Sequence, residues 1–178
     1  MKHISGEIRE KAKKIRMIIL DVDGVLTDGS IILDNNGNEF KRFNVRDGHG
    51  VRMLIKAGIM AVIITGRRSE VVDRRAEELG ITEVHQGVFN KLSVYEKILL
   101  KYKFIDEEIA FMGDDIVDIG ILRRVGLSAV PADAEEGVKI WASFVSAKKG
   151  GRGAVRELAN LILSSSGRYD PDSGELIV

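Results

Sequence analysis

Four aspartates in two short clusters carry the most legible chemistry in this chain: Asp21 and Asp23 in IILDVDGVLTDG, and Asp114 and Asp115 in IAFMGDDIVD. Each cluster follows an apolar run without helical period, the pattern of a strand buried on both faces. Parallel α/β sheets bind ligands outside the carboxyl ends of their strands, so two strands ending in carboxylates predict one acidic pocket. Carboxylates at that density repel one another unless a cation sits among them or one keeps a proton. The cluster is all hard oxygen, with no cysteine in the chain and no histidine pair nearby, which points to Mg²⁺.

Asp21 and Asp23, as i and i+2 of a strand running out into Gly24, share a face, and the glycine permits a sharp turn afterwards. One carboxylate can then attack while its neighbour handles a proton. A carboxylate is ionised at neutral pH and needs no general base to become a nucleophile. Its obstacle is the approach to an anionic phosphate, which a bridging cation removes. In IITGR, Thr65 and Gly66 end the next apolar run, where a hydroxyl and backbone amides can hold phosphate oxygens. Lys91, at a helix start, can supply a fixed positive charge.

The elements that must position these groups follow from periodicity and punctuation. A polar lead-in helix is expected over 5–14 with Ser5 as a possible N-cap, then a strand over 16–21. SIIL (30–33), the turn-rich DNNGNE (34–39) and FKRFNV (40–45) predict a β-hairpin. Afterwards single helices alternate with strands. Helices are expected over 49–57, 69–79, 91–103, about 116–124, 135–141 and 153–164. Strands are expected over 60–64, 83–85, 109–112, 127–130 and 143–146, and a polar tail follows. This alternation predicts a doubly wound, Rossmann-like parallel sheet in one domain over 1–178, with the hairpin (about 28–46) inserted after the first strand.

Asp-x-Asp-Gly-Val-Leu-Thr, an apolar run ending in Thr-Gly, a later Lys and Gly-Asp-Asp-x-x-Asp, in that order, resemble the haloacid dehalogenase superfamily of phosphatases from residue 16 to about 160. The resemblance implies that Asp21 becomes phosphorylated and that Asp23 protonates the leaving oxygen and then activates water. Asp21, Asp114 and the backbone carbonyl of Asp23 would ligate Mg²⁺, and Thr65 and Lys91 would hold the phosphoryl group. Asp115 and Asp118 would stand behind the ligands or orient Lys91. Too little chain separates Gly24 from Thr65, or Thr65 from Lys91, for a cap domain. FNVRDGHG (43–50), TGRRSEVVDRRAEELGI (65–81), the QG of HQGVFNK and KKGGRGAVRELANLIL (148–163) further resemble the capless 3-deoxy-D-manno-octulosonate 8-phosphate phosphatases, which act in lipopolysaccharide sugar biosynthesis. That family's members are tetramers whose hairpins form a shared barrel. The resemblance implies substrate contacts from Asp23, Asn44, Val45, Arg46, Asp47, Gly48, Arg67, Arg75 and Lys91. Ile119-Gly120-Ile121 lacks a Pro expected there, and the tail past Gly167 is longer than a minimal member's.

A hairpin exposing Ile31, Ile32, Phe40 and Phe43 over an uncapped pocket predicts a homo-oligomer. Lys plus Arg equals Asp plus Glu at 27 each in 178 residues, so no overall field favours nucleic acid or an anionic membrane. No run approaches the ~20 apolar residues of a spanning helix, and the N-terminus lacks a signal-peptide core, so a soluble cytoplasmic protein is expected. His49 and His85 read as structural, Arg68 and Arg74 as solvated surface, and Trp141 as core or interface. Gly150-Gly151-Arg152-Gly153 reads equally as an anion cradle or a plain loop. Two other functions fit less well, and a third is a closer rival. A phospho-receiver domain would place its phosphorylated Asp after the acidic pair. A metal-free dehalogenase would not need Asp23 or Asp114–Asp115. A phosphatase for nine-carbon sugar acids, such as 2-keto-3-deoxynonulosonate 9-phosphate, would share every feature above.

Overall fold

A computed structural model of the chain describes residues 4–170 and 173–177. Six strands form one all-parallel sheet: β1 (Met17–Leu20), β4 (Met60–Ile64), β5 (Glu83–His85), β6 (Ile109–Met112), β7 (Leu127–Val130) and β8 (Phe144–Val145). Their order is β5-β4-β1-β6-β7-β8, and the inserted hairpin, β2 (Ile32–Leu33) with β3 (Glu39–Phe40), pairs separately. The connection from β1 leads to one side of the sheet and that from β6 to the other. The crevice outside β1 and β6 is therefore the topological switch point, where such sheets bind ligands.

The strand residues sort by the two-residue period. Ile18, Leu20, Ala61, Ile63, Ala110 and Met112 enter one core, under α1 (Gly6–Lys13), α2 (Val45–Lys56), α3 (Glu70–Leu79) and α7 (Ala154–Ser165). Met17, Ile19, Val62, Ile64, Ile109 and Phe111 enter the other, under α4 (Lys91–Tyr102), α5 (Ile119–Leu122) and α6 (Glu136–Lys139). Both faces are buried, so the strands read as continuous apolar runs rather than alternating ones.

Ser5 caps α1 by accepting the Ile8 N–H at 3.3 Å. Helix α2 begins four residues earlier than the sequence suggests, because the Asn44 side chain caps it by accepting the Arg46 N–H. The stretch expected to extend to residue 45 thus contracts to Glu39–Phe40. The helix expected over 116–124 splits into a 3₁₀ turn, Ile116–Asp118, and the short α5.

One side chain departs from expectation. Phe43 packs partly buried against the core with the Arg75 guanidinium over its ring, so it is not part of the exposed hairpin surface. Trp141 lies at the surface beneath the Arg123 guanidinium, at 4.7 Å. Instead of trailing away, the tail folds back on its own chain. Tyr169 bridges Leu176, both pack on the core, and Arg168 donates to the Ala57 carbonyl that ends α2. No helix among the described residues is long and apolar enough to cross a membrane.

Candidate active site

Three adjacent strands deliver the chemistry. β1 runs into Asp21, β6 into Asp114 through Gly113, and β4 into Thr65, so all three groups emerge at one edge of the sheet. The Asp21 N–H donates to the Met112 carbonyl at 3.1 Å, which continues the β1–β6 ladder up to the acidic pair. Lys91 enters from the first residue of α4, its side chain 3% exposed. Asp21, Asp23, Thr65, Gly66, Arg67, Lys91, Asp114 and Asp115 line one cavity of about 310 Å³, with Val88, Phe89 and Val117 around it.

The charges interlock. Lys91 Nζ lies 2.8 Å from Asp21 Oδ2 and 2.7 Å from Asp118 Oδ1. Asp118 Oδ2 accepts the backbone N–H groups of Asp114 and Asp115, at 2.9 and 3.2 Å. Asp21 Oδ1 accepts the Val22 N–H at 2.7 Å. Burial pushes the Asp21 carboxyl up to about 6, with the Asp118 carboxylate adding and Lys91 opposing. Asp114 is pushed further, to about 8, by burial and then by the carboxylates of Asp21 and Asp118, against the pull of Lys91.

Oxygens of Asp21, Asp114 and Asp118 lie within 4.8 Å of one another, close enough to share a cation. Asp118, however, has both oxygens engaged, one by Lys91 and one by two amides, so it serves to fix Lys91 and the Asp114 loop. No hydrogen bond reaches the Asp114 carboxylate among the described residues. Two crowded carboxylates, each held above its ordinary pKa by burial and by neighbouring carboxylates, form an all-oxygen donor set that fits Mg²⁺.

Glycines set the close approaches. Gly24 has φ +87°, and a Cβ there would sit 2.0 Å from Asp114 Oδ2. A Cβ on Gly113 would collide with Asp118 at 2.4 Å, and one on Gly150 would lie 1.8 Å from the Gly24 carbonyl. The Gly150–Gly153 loop thus backs the turn that follows Asp21 and Asp23, and Gly151 donates to the Val25 carbonyl. Close backbone packing explains this loop without any anion.

Other expected site residues lie elsewhere in the chain. The Asn44 side chain caps α2 and donates to Gly151 O, and Val45 is exposed. Asp47, buried with its carboxyl raised by that burial, accepts from the backbone of Gly153 and Arg156 and so ties α2 to α7. Gly48 leaves room for Arg75, whose guanidinium pairs with Glu78. Arg46 lines a separate cavity of about 320 Å³ beside α1 and α7. Arg67 and Arg75 do not share a helix face, because Arg67 precedes α3. Arg67 instead reaches Glu39 at 2.6 Å and Asp23 at 3.7 Å. Spacing gave no hint of Lys41, which the hairpin fold brings to 2.5 Å from Asp23. His85 pairs with Glu83 away from the cavity.

Comparison with known proteins follows this geometry. Residues 79–158 match the haloacid dehalogenase-like hydrolase family. The 3-deoxy-D-manno-octulosonate 8-phosphate phosphatase of Escherichia coli K12 is 44% identical over 174 residues, 98% of this chain and 93% of the relative. The chain belongs to the haloacid dehalogenase superfamily, in its 3-deoxy-D-manno-octulosonate 8-phosphate phosphatase family. The crystal structure of the Yersinia pestis phosphatase superposes with TM-score 0.90 at 44% identity, covering 91% of this chain and 88% of that one. The Moraxella catarrhalis enzyme, solved with a magnesium ion, a phosphate ion and the sugar acid KDO, gives TM-score 0.89 at 40% identity, over 91% and 93%. Among the described residues no cap domain accompanies the parallel sheet.

The raised carboxyls make metal uptake depend on pH. A carboxyl whose pKa rises on folding adds stability below its unfolded value of 3.8 and loses it as pH climbs through the folded value, here about 6 for Asp21 and about 8 for Asp114. Metal-free protein should therefore lose thermal stability from about pH 6 to pH 8. Mg²⁺ should restore it increasingly over the same range and release protons on binding at neutral pH. Calorimetric titration in buffers of different ionisation enthalpy reads the proton count, and a count of zero contradicts the assignment. Gly24→Ala should displace Asp114 and raise the Mg²⁺ half-saturation concentration at least tenfold. Its melting temperature should fall only about 2–4 °C, as expected for ~1 kcal/mol in a chain of this size. Unchanged metal affinity would refute the close-approach argument.

Proposed function

We propose that this chain is a Mg²⁺-dependent phosphomonoesterase that hydrolyses 3-deoxy-D-manno-octulosonate 8-phosphate to the free sugar acid and phosphate. The observation that carries the reading is Lys91 lying between Asp21 and Asp118 while Asp114 stands free beside them: an attacking carboxylate, a fixed cation and an open place for a metal in one cavity.

The Asp21 carboxylate forms a new P–O bond as the bond to the sugar oxygen breaks. Asp23, two residues on, gives the departing alkoxide its proton and then takes one from the water that cleaves the aspartyl phosphate, which restores Asp21. Lys91 and Thr65 hold the phosphoryl oxygens, and Gly66 lines the same cavity. When bound, Mg²⁺ held by Asp21, Asp114 and the Asp23 carbonyl neutralises charge on the phosphate. Asp115 and Asp118 keep this frame in register. Arg67, at the cavity wall, is the guanidinium we assign to the substrate carboxylate. The parts of Asn44–Gly48 and Arg75 that reach no wall of their own cavity would touch substrate only across a subunit boundary.

A homo-oligomer, specifically a homotetramer built through the hairpin, accounts for the exposed apolar surface around the site. Ile31, Ile32, Leu33 and Phe40 on the hairpin are 45–60% exposed, and Phe89 at the cavity mouth is 99% exposed. A two-stranded hairpin is marginal alone, and an uncapped cavity admits water. Pairing hairpins removes both costs. We place the enzyme in the cytoplasm, where a sugar phosphate would be met.

Asp21→Asn should fold yet lose turnover by at least about 10⁴-fold, the loss expected when a covalent nucleophile is removed. The same assay should give the wild type a higher kcat/KM on the eight-carbon than on the nine-carbon sugar acid phosphate. Residual activity in Asp21→Asn would exclude it as nucleophile, and a nine-carbon preference would move the enzyme to the other sugar acid. Sedimentation equilibrium at micromolar concentration should give four subunits for the wild type and fewer for Phe40→Glu; a wild-type monomer contradicts the assembly.

A further inference from the structure

Lys41 directly follows the hairpin's return strand, 18 residues after Asp23, and nothing in its spacing marks it. Its backbone is open to solvent, yet its side chain is only 2% exposed. Its ammonium sits 2.5 Å from Asp23 Oδ1 and 3.5 Å from Glu39 Oε1. The second oxygen of Asp23 faces Arg67 Nε at 3.7 Å, and Arg67 Nη2 returns to the same Glu39 oxygen at 2.6 Å. Four charges from three segments therefore close a ring: Asp23, Lys41, Glu39, Arg67. Because Glu39 shares both cations, neither delivers its whole charge to Asp23.

Burying a lysine side chain is unfavourable unless the ammonium is well paired, so its place here is built rather than incidental. The hairpin adds no strand to the main sheet, its two strands pairing with each other over two residues each. From this geometry we infer that Lys41, anchored by Glu39, is a positioning residue that fixes the Asp23 carboxyl where it can give a proton to the leaving oxygen. Resting on the phosphatase reading above, the inference adds a function for the hairpin inside its own subunit. The segment carrying the apolar hairpin surface also aims the acid.

The leaving group separates this role from a structural one. Sugar and other alkyl phosphates leave as strongly basic alkoxides and need the proton, whereas p-nitrophenolate leaves without one. In kcat/KM, which runs through formation of the phosphoenzyme, Lys41→Met should lose about 100-fold on the sugar acid phosphate and on glycerol 3-phosphate, in the range of general-acid and misplacement effects. On p-nitrophenyl phosphate it should lose less than about threefold on the same grounds. Lys41→Arg should recover most of the alkyl activity. Glu39→Gln, which keeps the ammonium but loosens its anchor, should show the same split at smaller amplitude and decides the matter should Lys41→Met not fold. Equal losses on aryl and alkyl phosphates would overturn the inference, as would no loss on either. A loss on the sugar acid phosphate but not on glycerol 3-phosphate would also overturn it, by making Lys41 a contact to the sugar. Wild-type protein inert towards every phosphomonoester would sink the phosphatase reading, and this inference with it.

Discussion

The site depends on electrostatic repulsion among carboxylates that the backbone forces together. Asp21, Asp114 and Asp118 converge because β1 and β6 are neighbours and both end there, and burial makes their mutual repulsion far stronger than it would be in water. One cation is permanent: Lys91, held between Asp21 and Asp118. A second charge is needed for Asp114, and the donor set suits a hard divalent ion. The charge that makes the cluster unstable alone also makes it receptive to magnesium and phosphate together.

Much of the surrounding structure maintains this arrangement. Gly24, Gly113 and Gly150 are spaces rather than side chains, each allowing backbone or a carboxylate within contact distance of a neighbour. Asp118 spends both oxygens on Lys91 and on the amides that shape the Asp114 loop. Asp47 is acidic and buried but ties the start of α2 to the start of α7. Several acids that look functional in one dimension are thus fasteners in three.

The hairpin bears on this site from outside the sheet. It presents apolar residues to solvent on one side and Lys41, paired with Glu39, to Asp23 on the other. In a protein without a cap domain, the same short insertion can thus serve both assembly and chemistry, since its two faces answer to different neighbours.

Most of the fold was legible in the sequence because the signals are local. Continuous apolar runs mark strands buried on both faces, glycines close helices, and the aspartates follow strand ends at fixed offsets, so Asp21, Asp23, Thr65, Lys91 and Asp114 could be named from spacing alone. The start of α2 was missed because its cap, Asn44, follows an apolar stretch that reads as extended. The packing of Phe43 under Arg75 and the return of the tail onto α2 depend on residues far apart in the chain, which periodicity does not register. The same holds for the site: the sequence determined which groups can do chemistry, while only the tertiary structure decided which of them meet. Lys41 reaches Asp23 and Arg75 turns to Glu78 because side-chain partners are chosen by distance in space and by the cost of burying an unpaired charge.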